Sequence, residues 1–353
     1  QEGLPEVQLQ PGRGNYQQTR LLVSDLVFGG GSERLEDDID IYSLELQYDL
    51  SWASLSSSSS WMDESSFMLR DLSNVYIGLF LDAGIDLSGR LPFPQGEKRD
   101  AEVFTQEFRL TSQLDGPWQY LLGLYYQERE RASDQLLYWD TLNISDTVNN
   151  NELTQKAIFG ELSYAFTEQL KLTLGGRWFD YEVDINETRF GIAETPLSSE
   201  EDGTVGKANV TYELNDDVML YGQWSEGFRF GEPLPGLRPL GISLCDVNND
   251  GLIDGTNLAT SGRQLDSDSL ESFELGGKMS FQDGRLIVNA ALYHNNWEDI
   301  VVSIPGVTPC NVSQQANGGK ASSQGVELEV KYQVYENLQL TLASSYLEAE
   351  LTD

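Results

Sequence analysis

Asp246-Val247-Asn248-Asn249-Asp250-Gly251-Leu252-Ile253-Asp254 is the stretch whose residue types and spacing could do chemistry. Side-chain oxygens at alternate positions, followed by a glycine, match the first part of a calcium loop, in which the glycine permits the sharp turn. In that pattern Asp246, Asn248 and Asp250 give side-chain oxygens, Leu252 its carbonyl, and Asp254 a ligand directly or through water. The position where such loops carry a bidentate glutamate is Asn257. Asp266 or Asp268 is then the source of the missing carboxylate. The plainer alternative is an acidic turn that holds only water. Ca2+ in the loop 246–257 is the only cofactor suggested; no catalytic cofactor is expected.

Other chemistry is poorly supplied. The chain has one histidine, His294, and two cysteines, Cys245 and Cys310. A zinc site needs more nitrogen and sulfur ligands than that. A serine-histidine-aspartate triad would have to use His294, which sits in a strand-like run, and the sequence has no GxSxG motif. The protein is expected not to be an enzyme. Its formal net charge is −35, from 57 acidic and 22 basic residues. Phosphate contacts require clustered lysine and arginine, so nucleic acid is excluded as a partner.

The elements that position the loop are strands. In Lys207 to Phe230, alternation of apolar and polar residues runs into Asn215-Asp216-Asp217 and resumes at Val218. Period-2 alternation on both sides of a short polar turn predicts a β-hairpin. The unit recurs. Val103–Ser112 pairs with Trp118–Glu130, Thr154–Phe166 with Leu170–Asp184, Ser269–Ser280 with Arg285–Val302, and Ala321–Tyr335 with Leu338–Leu351. Upstream, Ile39–Tyr48 and Trp52–Trp61 form another pair. Tyr16–Phe28 and Ser73–Leu87 are further candidates, for about fourteen strands of membrane-barrel length. Residues 62–72, 131–151, 185–202, 231–268 and 303–319 are expected to be loops. Residues 1–38 are expected to be irregular, with at most one strand, and 39–353 to be the barrel segment.

Tight turns alternate with long polar loops, the pattern of an antiparallel transmembrane β-barrel with short periplasmic turns and long extracellular loops. No run of about 18 apolar residues is present, so no transmembrane helix is expected. Glu107, Arg109, Gln223, Glu274, Lys278, Glu327, Glu329 and Lys331 alternate with apolar neighbours and are expected to point inward. Trp118, Tyr120, Tyr125, Tyr126, Trp178, Phe179, Tyr181, Trp224, Phe228, Tyr293 and Trp297 lie near strand ends, as aromatic girdles do.

Several stretches resemble TonB-dependent outer-membrane receptors: Phe104–Ser112 with its following hairpin strand, Leu220–Arg229, Leu270–Gly276, and Asn317-Gly318-Gly319-Lys320-Ala321 leading into Gln324–Glu329. The resemblance runs from about Ile39 onward. It implies a bacterial outer-membrane location and TonB-energised uptake of a scarce ligand, most often an iron–siderophore complex. The implied partners are outer-membrane lipid, the TonB complex through a plug domain absent from this chain, and a siderophore or other large nutrient. The family's signal peptide, TonB box and plug are not found, and its barrel has roughly twenty-two strands. The chain is therefore expected to be an internal segment. Rival expectations are a passive porin-like channel and a secreted all-β glycan-binding protein.

Strand order also bears on the cysteines. Cys245 precedes, and Cys310 follows, the hairpin Ser269 to Val302. If that hairpin's turn is periplasmic, both cysteines lie outside, where an oxidising setting favours a Cys245–Cys310 disulfide.

Overall fold

A computed structural model describes residues 7–8, 15–16, 33–73, 93–139, 142–237, 245–304 and 314–352. Two short strands, β1 (Val7–Gln8) and β2 (Asn15–Tyr16), pair with each other. The long strands begin with β3 (Arg34–Asp49), β4 (Ala53–Asp71), β5 (Pro94–Ser112) and β6 (Trp118–Trp139). They continue with β7 (Leu142–Ala165), β8 (Leu170–Arg189), a short β9 (Ile192–Ala193), β10 (Leu197–Asn215) and β11 (Val218–Arg229). After a small hairpin of β12 (Glu232–Leu234) and β13 (Arg263–Leu265) come β14 (Asp268–Phe281), β15 (Leu286–Ile304), β16 (Gln314–Tyr335) and β17 (Leu338–Leu351). One thirteen-stranded antiparallel sheet runs in chain order from β3 to β17, omitting the β12–β13 pair, with β9 attached to β8.

Each strand therefore pairs with its sequence neighbours, and alternate connections fall at opposite ends. Backbone bonds link each tight turn to the next. Gln113 N–H donates to Trp52 O at 2.7 Å, Ala165 to Pro117 at 2.9 Å, and Glu213 to Gln169 at 2.8 Å. Ser280 donates to Asp217 and Gln333 to Arg285, each at 2.8 Å. The expected turns thus form one continuous rim. Local chemistry closes them. Asn215 Oδ1 accepts from Asp217 N–H at 2.9 Å, an Asx turn, and Thr167 Oγ1 caps Leu170 N–H at 3.0 Å.

Register sorts the side chains. Arg109, Gly123, Phe159, Arg177 and Val205 lie opposite one another on successive strands, so they share a face. Two residues on from Val205, Lys207 faces Ser225, and Gln223 leads on to Glu274 and Tyr293. All eight residues expected to point inward lie on this polar face. It carries the Lys207–Glu161 ion pair at 2.5 Å and the Lys331–Glu329 pair at 2.7 Å.

The opposite face is apolar near the tight turns and acidic beyond. On β8 it shows Leu170, Leu172, Leu174 and Trp178, then Asp180, Glu182 and Asp184. Leu170 to Trp178 spans roughly 26 Å along the strand at about 3.3 Å per residue, the scale of the ~25 Å apolar band of such barrels. An aromatic residue closes the band and a carboxylate follows on β3 (Tyr42, Asp40), β4 (Trp61, Asp63), β6 (Tyr126, Glu128), β11 (Trp224, Glu226) and β17 (Tyr346, Glu348). Farther out, Asp40, Asp63, Glu102, Glu130, Glu152 and Asp184 lie directly opposite one another across six strands. None of the six has an ion pair among the described residues.

Two expectations need correction. First, much of the expected loop at 62–72, 131–151 and 185–202 is strand, since β4 reaches Asp71, β6 and β7 reach Trp139 and Leu142, and β10 starts at Leu197. Polar side chains stop the hydrophobic alternation where the surroundings become aqueous, but the backbone ladder needs only a neighbour and continues. Second, the first long strand among the described residues starts at Arg34, ahead of residue 39. The described residues hold twelve long strands. The two other candidates, Tyr16–Phe28 and Ser73–Leu87, lie almost wholly outside them. No helix among the described residues is long and apolar enough to cross a membrane, which says nothing of strands.

Candidate functional site

At the end of the sheet away from the tight turns, the polar face changes character. Leu153, Ala157, Phe179, Tyr181, Val183 and Ile185 form a buried cluster, with Tyr125, Leu197, Val205, Phe228 and Phe230 packed on it. Their strands present them at alternate positions, so the cluster is built by register. Phe179 and Phe228 stack with centroids 3.6 Å apart. Gly203 makes room: a Cβ there would meet Phe179 Cζ at 2.6 Å. Arg177 lies over the Tyr125 ring at 4.9 Å, a cation held against an aromatic face.

The cluster is where the connection from β11 to β14 is tied down. Tyr181, fully buried, accepts a hydrogen bond from Gly231 N–H at 2.8 Å and donates to Glu201 Oε2 at 2.6 Å. Glu201 also takes the hydroxyl and, at 3.2 Å, the backbone N–H of Ser267. One tyrosine and one glutamate therefore hold both ends of the connection. At its neck, Arg229 pairs with the buried Asp268 through two nitrogens and lies 4.3 Å over the Trp297 ring. On the β16 side, Arg263 Nη2 donates to Gln314 at 3.0 Å, and Asn317 exchanges two bonds of 2.9 Å with the backbone of Asp266. Burial pulls the Arg263 guanidinium below the usual arginine range.

Inside this connection lies the Asp246–Asp254 loop. Asp246 is buried, and its two carboxylate oxygens accept from Asp250 N–H at 2.9 Å and Gly251 N–H at 3.0 Å. Asn248 Oδ1 accepts from Asp250 N–H at 3.0 Å, and Asp254 Oδ2 from Val247 N–H at 3.1 Å. Gly251 has φ +84°, the left-handed turn that the spacing demands. Leu252 forms an isolated bridge with Ala259. Asp268 is committed to Arg229, which removes one of the two carboxylates considered for completing the loop. Among the described residues, no three histidine, cysteine, aspartate or glutamate side chains form a metal-holding group. A cation here would have to draw on the Asn248 carboxamide and the Leu252 carbonyl as well. Cys245 is fully buried and disulfide-bonded. Cys310, the chain's other cysteine, lies outside the described residues.

The aromatic residues expected to form girdles divide between the faces, so only those on the apolar face can belong to one. Trp118, Tyr120, Tyr126, Trp178 and Trp224 lie on the apolar face. Tyr125, Phe179, Tyr181, Tyr293 and Trp297 lie on the polar one, and Phe228 packs onto Phe179 there. Neighbouring aromatics such as Trp178 and Phe179 point opposite ways because side chains alternate along a strand. His294 sits opposite Phe273 and Gln324, on the apolar face and away from the cluster. The anchoring roles of Tyr181, Glu201 and Asp268 were not foreseen. The only sequence signal for Tyr181 is its parity with Lys171 and Arg177 on the same strand, and the partners Glu201 and Asp268 become legible once the register is known.

The model of the family "TonB dependent receptor-like, beta-barrel" matches residues 7–353. The metal-pseudopaline receptor CntO of Pseudomonas aeruginosa is 27% identical over 210 residues, covering 59% of this chain and 26% of that protein. The ferric-pyoverdine 358 receptor of Pseudomonas putida is 25% identical over 203 residues, covering 56% of this chain and 22% of that protein. The chain thus spans about a quarter of the length of these curated relatives. Among solved structures, the ferric yersiniabactin uptake receptor FyuA from Yersinia pestis superposes with a TM-score of 0.70 at 16% identity, covering 94% of this chain and 45% of that one.

Proposed function

The chain belongs to the TonB-dependent receptor β-barrel family, and on that premise we propose that it forms part of the wall of an outer-membrane importer for a scarce metal chelate, an iron–siderophore complex. The apolar face meets lipid and the polar face lines the lumen, as in outer-membrane barrels. The observation that carries the proposal is the tethered connection over the outer end of the lumen. Tyr181 and Glu201 fix both its ends to the wall, so it presents a shaped surface to incoming cargo. Energy transfer from TonB would reach the cargo through a plug domain. The similarity to a metal-pseudopaline receptor and a ferric-pyoverdine receptor supports a chelated-metal cargo.

The test is uptake in the host. Deleting the gene should abolish import of radiolabelled iron supplied as its siderophore, and iron limitation should raise the transcript. Unchanged uptake, together with induction by a glycan instead, would refute the proposed cargo.

The 246–254 loop is proposed to take Ca2+ as a structural ion that orders the outer connection. Its support is the ligand spacing, the glycine turn and a buried Asp246 whose carboxylate is already oriented. Terbium luminescence on the full-length receptor should be displaced by Ca2+ and lost in Asp250→Ala. Terbium binding that survives this substitution would reject the site. A Cys245–Cys310 disulfide is proposed as the brace at the start of this loop.

A further inference from the structure

We propose that the outer wall contains a binding site for an organic polyamine, set in a seam between β10 and β11. The two strands pair from Asn215/Val218 only as far as Lys207/Ser225. Beyond that point β10 stays with β8 up to Leu197, and β11 stays with β14 up to Arg229. The wall therefore parts into two halves, and a cavity of about 550 Å³ fills the gap. That is a ligand-sized volume, within the roughly 300–1,000 Å³ of small-molecule sites.

The chemistry of its lining is one-sided. Glu201, Glu226, Asp268, Glu271 and Glu298 border the cavity, and Lys320 is the base among the lining residues. Arg229 neutralises Asp268. Carboxylates exceed bases by three, counting five against Lys320 and Arg229. A cleft walled by one sign of charge concentrates counter-ions of the other sign.

Three of the carboxylates are also held in place. Glu226 Oε2 accepts from Gly206 N–H at 2.8 Å, Glu271 Oε1 from Trp224 Nε1 at 2.8 Å, and Glu298 Oε1 from Lys320 at 2.9 Å. Each bond fixes one oxygen and leaves its twin as an oriented acceptor. The stacked rings of Phe179 and Phe228 form an apolar wall of the same cavity. Spaced ammonium groups would meet the free oxygens, and the methylenes between them would lie on the rings. A bare divalent ion satisfies the charge and makes no use of the aromatic wall, so the lining selects an organic cation. The site is independent of which chelate the receptor imports, and its failure would leave the uptake proposal standing.

Isothermal titration of the full-length receptor in detergent, with spermidine as the probe, tests the site. Saturable binding is expected, with quenching of tryptophan fluorescence. Glu226→Gln combined with Glu271→Gln should weaken binding at least tenfold, and Phe228→Leu severalfold. Retained heat-modifiable gel migration would show that these variants fold; if the double variant does not, Glu298→Gln gives the same test. Absence of saturable binding, displacement of spermidine by Mg2+ at equal charge concentration, or wild-type affinity in the folded variants would overturn the proposal.

Discussion

Glu130→Gln should strengthen the outer part of the sheet, and the gain should vanish in salt. Glu130 lies directly opposite Glu102 on one side and Glu152 on the other, in the row of six carboxylates on the apolar-side face. Cross-strand neighbours have Cβ atoms about 5 Å apart, and like charges in such pairs destabilise. Taking the carboxylates as about 6 Å apart in water, each contact costs about 0.7 kcal/mol before screening. At a Debye length of about 8 Å, near 0.15 M salt, roughly half survives, so removing two contacts is worth about 0.7 kcal/mol. At 10 mM salt the gain rises to about 1 kcal/mol, and at 1 M it falls to about 0.2 kcal/mol. The assay is hydrogen exchange of amides in β6 and β7 around Glu130 and Glu152 in the full-length receptor. Protection should rise about threefold at 0.15 M, about fivefold at 10 mM, and negligibly at 1 M. Unchanged protection at low salt, or a gain that persists at 1 M, would refute the reasoning, since neither repulsion nor its screening would then govern these strand ends.

Tyr181→Phe removes the acceptor for Gly231 and the donor to Glu201, so it should cost about 1–3 kcal/mol locally and expose the 230–267 connection to limited proteolysis at unchanged barrel content; protease resistance equal to wild type would deny the anchor. Gly203→Val should be worse tolerated than Gly116→Val, because a Cβ at 203 meets the Phe179 ring while nothing lies within 4 Å at 116; equal thermal stability of the two would contradict the packing. Mass mapping without reduction should recover Cys245 joined to Cys310, and a free Cys310 thiol would dismiss that pairing. Residues 1–353 expressed alone should aggregate, because among the described residues β3 and β17 each have a single neighbour in the sheet and unpaired edges cannot be satisfied in hydrocarbon; a monodisperse, transport-competent preparation would contradict this.

The hairpins were legible because their signals are local. Asn215-Asp216-Asp217 and Gln282-Asp283-Gly284 carry turn chemistry within a few residues, and Glu327, Glu329 and Lys331 announce one face by spacing alone. What escaped depends on partners far away in the chain. The stretch from Leu142 to Asn151 is mostly polar, and its pairing with Arg131–Trp139 and, from Thr147 on, with Ile185–Arg189 makes it a strand. The role of Tyr181 depends on Glu201 and Gly231, which lie 20 and 50 residues away. The calcium spacing was visible at once, but that Asp268 belongs to Arg229 and not to the loop required the neck of the connection to be seen.

The in-order pairing of the sheet makes each hairpin, with the outer connection it carries, an exchangeable module. Lengthening or shortening a segment such as 230–267 leaves every register in the wall intact, so cargo-facing surface can diversify without refolding the barrel. The strands themselves obey a parity rule. Deleting Thr173 while Leu170 to Leu172 keep their register would turn Arg177 toward lipid and Leu174 and Trp178 toward the lumen, inverting the rest of the strand at a stroke. Variation in such a protein is therefore free in length outside and confined to even steps within, and related barrels should record that contrast in where their insertions fall.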